Sequence, residues 1–388
     1  MKFFHLSDLH IGKQLHHYNL KEDQEYILRE VLDYVRDLSP DAVVIAGDIY
    51  DKSVPSAEAV ALFDRFLTVL SEISPAVLLL LISGNHDSAE RLDYASEILG
   101  RQNIYIAGQA PRDKEDYLKK VTLTDEYGEV NFYLLPFMKP GYVRNVFEEE
   151  VPETYSDAVK WILEREKIDA GQRNVLVSHQ FYTGNGQKPQ TCDSEMFSVG
   201  GIDNVDIGPL LQFDYAALGH LHGAQQVGKE TIRYCGTLLK YSVSEAKQEK
   251  TLHMVTLKEK GSEAEVVKLA LHPLRDVREL RGTLSEIIEN AEPENKDDYV
   301  SITLTDEVDP YKPKEQLEKV YTHILEVRMD NARTRKRLEQ FDGEIEFSDP
   351  FTAFGEFYEE MQGRKMSEDE RGVMEQVLDK VSEKVKED

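Results

Sequence analysis

The sequence is short of cysteine, tryptophan and positive charge, and it has no long apolar run. Its 388 residues include two cysteines, Cys192 and Cys235. Two are too few for a disulfide framework and fit a reducing compartment. The apolar runs Val77–Ile82 and Val130–Phe137 fall far below the roughly 20 residues of a membrane-spanning helix. The opening residues, Lys2-Phe3-Phe4-His5-Leu6-Ser7-Asp8, lack the basic, apolar and cleavage regions of a signal peptide. The expectation is a cytoplasmic protein without a membrane segment. Lys and Arg number 46 against 73 Asp and Glu, a formal net charge of −27. That balance excludes a generally basic, DNA-coating protein and opposes a phosphate backbone at long range. Glycine-rich turns are present, but none has P-loop or dinucleotide-binding spacing, so no ATP site is expected in this chain.

What is present is a regular alternation. Phe3–Leu6, Ala42–Ala46 and Val77–Ile82 read as buried strands, and Glu22–Leu38 and Pro55–Leu70 carry apolar residues at helical spacing. Val121–Leu123, Val130–Leu135, Asn174–Val177 and Tyr215–Leu218 extend the strand pattern around a helix at Tyr155–Lys167. Continuous apolar strands alternating with amphipathic helices predict an α/β fold, its sheets covered by helices. Gln225–Val227 and Thr231–Tyr234 suggest a hairpin, and Met254–Leu257 with Glu265–Leu271 late antiparallel strands. Thr183–Glu195 reads as a long polar loop able to border a site. Beyond Pro273 the composition shifts, with helices expected at Val277–Asn290 and Lys314–Ile324 and a strand at Tyr299–Leu304. From Glu344 onward, 14 acidic residues face 6 basic ones, and Phe351, Phe354, Phe357 and Tyr358 recur at helical spacing.

The chemistry is concentrated where the strands end. Asp8-Leu9-His10, Gly47-Asp48, Gly84-Asn85-His86-Asp87, His179 and Gly219-His220-Leu221-His222 each follow a predicted strand, and they hold five of the 11 histidines. An extended backbone through Asp8 and His10 would turn both side chains to one face. Mixed carboxylate, amide and imidazole donors suit Mn²⁺, Fe²⁺ or Zn²⁺ better than Mg²⁺ alone. A pair of ions needs a bridging ligand, and the carboxylate of Asp48 is the candidate bridge.

These motifs resemble the calcineurin-like metallophosphoesterases. The fuller stretches His5–Lys13, Ala46–Asp51 and Gly84–Ser88, with Gly219–His222, resemble more closely the SbcD family of bacterial nuclease subunits. The resemblance implies a four-layer αββα sandwich over residues 1–276, a small α+β DNA-capping domain over 277–342, and a C-terminal helical segment over 343–388. That last segment would bind an SbcC-like, SMC-family ATPase through Phe351, Phe354, Phe357 and Tyr358. Asp8, His10, Asp48 and His222 would hold one ion, and Asp48, Asn85, His179 and His220 a second, the pair being two Mn²⁺ with Mg²⁺, Fe²⁺ or Zn²⁺ as alternatives. His86 would contact the scissile phosphate and protonate the leaving oxygen, with Asp87 orienting it or supporting the metal shell. The implied activities are ATP-independent 3′-to-5′ exonuclease cleavage of duplex DNA, endonuclease cleavage of single strands and, with the ATPase, opening of hairpins and blocked ends.

The family also dimerises through helices after its second and third motifs, within a heterotetramer. Here those helices are Pro55–Leu70 and Glu90–Leu99, with Leu62, Phe63, Phe66, Leu92, Tyr94 and Ile98 as contact residues. Lys13, Arg91, Lys139, Arg144 and Lys240 are candidates for backbone phosphates. Two other readings compete. A stand-alone phosphodiesterase or phosphatase on a small molecule or protein suits the acidic charge, and a metal-stabilised scaffold for the ATPase would need no turnover.

Overall fold

The computed structural model describes residues 1–73, 77–147, 151–184, 189–195 and 203–332, together with scattered positions between 351 and 378. Twelve strands build two six-stranded sheets: β1 (Lys2–Leu6), β2 (Ala42–Ala46), β3 (Leu78–Ile82), β4 (Ile104–Ala107), β5 (Lys119–Asp125), β6 (Gly128–Leu135), β7 (Arg173–His179), β8 (Tyr215–Gly219), β9 (Gln225–Val227), β10 (Lys229–Tyr234), β11 (Thr251–Thr256) and β12 (Glu265–Ala270). The first sheet runs β12-β11-β1-β2-β3-β4 and the second β9-β10-β8-β7-β6-β5. The central pairs β1–β2, β2–β3, β7–β8 and β8–β10 are parallel, so their carboxyl ends fall on one side of each sheet. Ligands in open α/β sheets gather at such ends.

Side-chain alternation along each strand explains the layering. On β1, Phe3 faces the second sheet, its ring edge-on to Phe132 with centroids 5.3 Å apart, and Phe3, Val44, Leu80, Phe132, Val175 and Tyr215 form the core between the sheets. Phe4, Leu6, Val43 and Leu79 point the other way, against α1 (Lys21–Leu38) and α2 (Ala57–Glu72). Leu176, Leu218 and Leu135 bury the outer face of the second sheet against α3 (Tyr155–Arg165). Helix, sheet, sheet and helix are the four layers expected of the family. No helix among the described residues is long and apolar enough to cross a membrane.

The apolar stripe of α2 belongs to this core. Leu62, Phe63 and Phe66, and Leu92 beyond β3, are buried within the chain, whereas Ile98 and Tyr94 are 67% and 83% exposed. Of the side chains suggested for a dimer contact, the first four are therefore occupied by the chain's own sheet. The helix expected over Glu90–Leu99 is two short pieces, Ala89–Leu92 and Ser96–Gly100, separated by Ala95 at φ 61°. Asp93 helps fix the break by accepting a hydrogen bond from the Gly108 amide at 3.0 Å.

The chain divides into two compact units, Met1–Thr303 with Lys312–Arg328, and Leu304–Tyr311 with Met329–Asp388. In the first, the helix expected over Val277–Asn290 is replaced by β13 (Val277–Gly282) and a short helix, Leu284–Glu289. A capping box explains the switch: Thr283 and Glu286 each satisfy the other's backbone amide and start the helix only there. The helix expected over Lys314–Ile324 shrinks to Pro313–Leu317. The β-branched stretch after it forms β15 (His323–Met329), in a three-stranded sheet with β13 and β14 (Tyr299–Leu304). In the second unit, Phe351, Phe354 and Tyr358 are half-buried, and Tyr358 donates to Glu370, which also pairs with Arg364. Phe357 lies outside the described residues.

Two histidines are buried in the sheet sandwich. His5 and His253 are register partners on β1 and β11, both fully buried; His5 bonds the Tyr215 hydroxyl and the Leu218 carbonyl, and the His253 ring has no hydrogen-bond partner among the described residues. Burial pushes His5 down to about 3 and His253 to about 2. In the unfolded chain both would titrate near 6.5, so unfolding takes up protons below that pH while the folded chain stays neutral. Stability is full above pH 6.5 and falls as the pH drops toward 3, by about 1.4 kcal/mol per pH unit for each histidine. Denaturant titrations of metal-free protein between pH 7.5 and 4.5 should show this slope, and His253→Leu should remove one histidine's share. An unchanged slope in that variant would contradict the assignment.

Candidate metal centre

The strand ends place the acidic and imidazole side chains within reach of one another. Asp8 and His10 leave β1, Asp48 leaves β2, Asn85 and His86 leave β3, His179 ends β7, and His220 and His222 follow β8. The backbone through Asp8 and His10 is not extended as expected: both have left-handed φ, 53° and 43°, as does Asp48 at 50°. The Asp8 amide donates to the Gly47 carbonyl and the His10 amide to the Asp48 carbonyl, both at 3.0 Å, which holds these unusual conformations in place. Such strain concentrates at functional sites.

Three sets of ligand atoms converge: Asp8, His10 and His222; Asp8, Asp48 and His179; and His10, Asp48 and His86. His10 Nε2 lies 3.1 Å from His222 Nε2 and 3.7 Å from Asp48 Oδ2. On the other side of Asp48, the same Oδ2 is 3.4 Å from His179 Nε2. Asn85 Oδ1 sits between His179 Nε2 at 3.0 Å and His220 Nδ1 at 2.9 Å. All seven expected ligands are thus drawn together, with Asp48 between the two groups.

Electrostatics separate the members. Burial alone would raise Asp48, but the His179 imidazole overrides it and holds this carboxyl well below the usual range. Burial opposes charge on His179, yet Asp48 outweighs it and lifts His179 to about 9. Burial raises Asp8, lowers His10 and, with His179 nearby, takes His220 down to about 3. Buried oxygen and imidazole donors crowd together, and the buried His10 Nδ1 has no hydrogen-bond partner among the described residues. The donor set fits a first-row divalent ion, and the cluster constitutes a candidate divalent-metal site.

Asp87 acts on the backbone of the site rather than on the His86 ring. Its Oδ2 accepts from the amides of Ile49 (3.1 Å) and Gly84 (2.9 Å), and Oδ1 from that of Tyr50 (2.9 Å). It ties the loops after β2 and β3 together, and burial with the nearby Asp48 charge pushes it up to about 6. His86 is oriented by the Asp51 carbonyl, 2.8 Å from its Nδ1, and its own amide donates to Asp48 Oδ1 at 2.8 Å. Asp51 was not singled out from the sequence, although it lies three residues after Asp48 in the segment that follows the same strand. Its carboxylate also pairs with Lys13 at 2.8 Å, and Lys240 pairs with Asp276 at 2.8 Å, so these two cations are engaged within the chain. Arg91, Lys139 and Arg144 are exposed.

Comparisons with known proteins show the family. Residues 1–224 match the family described as calcineurin-like phosphoesterase, and residues 273–362 match one described as type 5 capsule protein repressor C-terminal domain. The SbcD component of the SbcCD nuclease from Staphylococcus epidermidis is 32% identical over 375 residues, 95% of each chain. Its namesake from Staphylococcus saprophyticus is 30% identical over 385 residues, 97% of this chain and 98% of that one. A solved dimetal phosphatase from Danio rerio is 14% identical with a TM-score of 0.36, covering 69% of this chain and 98% of its own. With a phosphoesterase match across more than half its length and curated relatives spanning nearly all of it, the chain belongs to the calcineurin-like metallophosphoesterases and, among them, to the SbcD family.

Proposed function

We propose that the chain is the nuclease subunit of an SbcCD-type complex and hydrolyses DNA phosphodiester bonds at a centre of two Mn²⁺ ions. The observation that carries this reading is the arrangement of seven ligand side chains in two groups about Asp48, in a chain similar almost end to end to SbcD nucleases. Asp8, His10, Asp48 and His222 would hold one ion, and Asp48, Asn85, His179 and His220 the other. When bound, such ions supply Lewis acidity toward a phosphoryl group and make water a nucleophile at neutral pH.

The protein's own groups do the rest. His86 is half-buried, and a carbonyl can only accept, so its Nδ1 proton is committed to Asp51. Nε2 is then the nitrogen turned to the site, and the ring would deliver a proton to the leaving oxygen from its doubly protonated form. Asp87 keeps the His86 loop against the Asp48 loop through its three amide bonds. Arg91, Lys139 and Arg144 are the exposed cations offered to the DNA backbone, in a sequence-independent grip. The charge of −27 limits that grip, and an SMC-type ATPase partner would supply much of the remainder.

The family's detailed activities complete the reading: duplex 3′-to-5′ exonuclease and single-strand endonuclease cleavage without ATP, and opening of hairpins or blocked ends with the ATPase, in cytoplasmic DNA repair and recombination. Residues 277–342 would cap DNA, and 343–388 would bind the ATPase through Phe351, Phe354, Phe357 and Tyr358. A homodimer within a heterotetramer would draw on the exposed Ile98 and Tyr94 rather than on the buried side chains of α2.

His86→Ala tests the division of labour. DNA cleavage in Mn²⁺ should fall by about 100-fold or more, within the range of a lost general acid, while the variant still binds both ions. Loss of an ion in that variant would make His86 a ligand and overturn its role as proton donor.

A further inference from the structure

The imidazoles of the centre each have two ring nitrogens, and what holds one decides what the other can do. His179 Nδ1 lies 2.7 Å from the Ala46 carbonyl and His86 Nδ1 2.8 Å from that of Asp51. Carbonyls only accept, so both Nδ1 atoms carry protons and both Nε2 atoms are left facing the site. For these two rings the backbone makes the choice.

His222 is held by side chains. Its Nδ1 lies 2.7 Å from Ser194 Oγ, and that hydroxyl lies 2.6 Å from Glu245 Oε1. Glu245 is fully buried and ion-paired with Lys250 at 2.6 Å, and a carboxylate in that pair is an acceptor only. The single hydroxyl proton of Ser194 therefore points to Glu245. The hydroxyl must in turn accept from His222 Nδ1–H, which leaves the lone pair on Nε2, 3.1 Å from His10 Nε2. The same segment grips the His222 backbone. Glu195 Oε1 accepts from the His222 amide at 2.6 Å, while its Oε2 accepts from the Cys192 amide at 2.8 Å. Lys250 donates to the His222 carbonyl at 3.0 Å. Ring, amide and carbonyl are all fixed.

We propose that Ser194, backed by Glu245 and Lys250, is the positioning residue that sets the tautomer of His222, and that Cys192–Glu195 is a strap holding this ligand ready for its ion. The strap lies in the polar loop between Thr183 and Glu195, and the dinuclear reading assigns that loop no role. The inference rests on His222 being a ligand, but the tautomer can be read without any ion. Support for a metal-ligating histidine from outside the ligand set typically changes affinity by about 10–100-fold.

The test compares Ser194→Ala and Ser194→Thr with the unaltered chain. Long-range ¹⁵N–¹H spectra of histidine-labelled, metal-free protein should show the unaltered His222 protonated at Nδ1. That preference should be lost in Ser194→Ala and kept in Ser194→Thr, which retains the hydroxyl. Calorimetric titration with Mn²⁺ should then show one ion bound about 10–100-fold more weakly by Ser194→Ala, the other unchanged, and both near normal in Ser194→Thr. A proton on His222 Nε2 in the unaltered chain, or full affinity for both ions in Ser194→Ala, would overturn the relay. Equal damage from the threonine variant would also overturn it, by showing a packing role. An unaltered chain that takes up no Mn²⁺ would overturn the metal reading itself, whatever the tautomer.

Discussion

Asp48→Ala should abolish binding of both ions and lower Mn²⁺-dependent DNA cleavage by more than about 100-fold, since even the partners of metal ligands are worth about 10–100-fold. Asp48 is the member that both halves of the centre share. Its Oδ2 lies 3.7 Å from His10 on one side and 3.4 Å from His179 on the other, and its Oδ1 accepts the His86 amide at 2.8 Å. Removing the carboxylate takes an acceptor from each group and releases the backbone that presents His86. It also removes the charge that lifts His179 to about 9. Asp48→Asn keeps the shape and one oxygen, so it should retain more metal than alanine and still cleave poorly. Elemental analysis of desalted protein, set beside exonuclease rates, checks both variants. Two ions retained by Asp48→Ala would refute Asp48 as the bridge.

Gly219→Ala should be as damaging, through sterics rather than charge. Gly219 ends β8, and a Cβ there would overlap the Ala46 carbonyl oxygen and crowd His179 Nδ1 and the Ser7 side chain. The Ala46 carbonyl is the acceptor that fixes His179, so relief of the overlap must move either a sheet end or a ligand. Overpacking a well-filled site typically costs about 1–3 kcal/mol, and here the obstacle is backbone, which cannot rotate away. The expected result is lower stability, weaker metal binding at the His179 side and loss of cleavage. Denaturant unfolding with and without Mn²⁺ measures it. A variant with unaltered stability and metal affinity would show that the sheet ends can separate without consequence.

The two sheets and the clustering of Asp, Asn and His side chains were legible in the sequence for one reason: each motif directly follows a strongly apolar strand, and parallel strands bring their carboxyl ends together. The placement of Asp8, Asp48, Asn85, His179 and His220 at strand ends needs only that rule, and their roles as ligands rest on the family resemblance. What the sequence did not disclose depends on partners far apart along the chain. Ser194 meets Glu245 across 51 residues and His222 across 28, and Asp87 bonds amides 37 and 38 residues away, so nothing in local spacing marks them. The amphipathic stripe of α2 was visible, but a stripe does not say which surface it covers; Leu62, Phe63 and Phe66 cover the chain's own sheet. At Val277–Gly282 a polar strand on a small sheet has too little apolar patterning to be told from a helix, and the capping box at Thr283 was the neglected signal.

The most direct measurement is cleavage by the purified, unaltered chain in Mn²⁺ without ATP, on a duplex labelled at its 3′ ends and, in parallel, on a small aryl phosphodiester. A two-metal DNA nuclease releases nucleotides from the duplex ends. Hydrolysis of the small diester with no cleavage of DNA, either alone or with an SbcC-type ATPase and ATP, would contradict it and leave a stand-alone phosphodiesterase in its place.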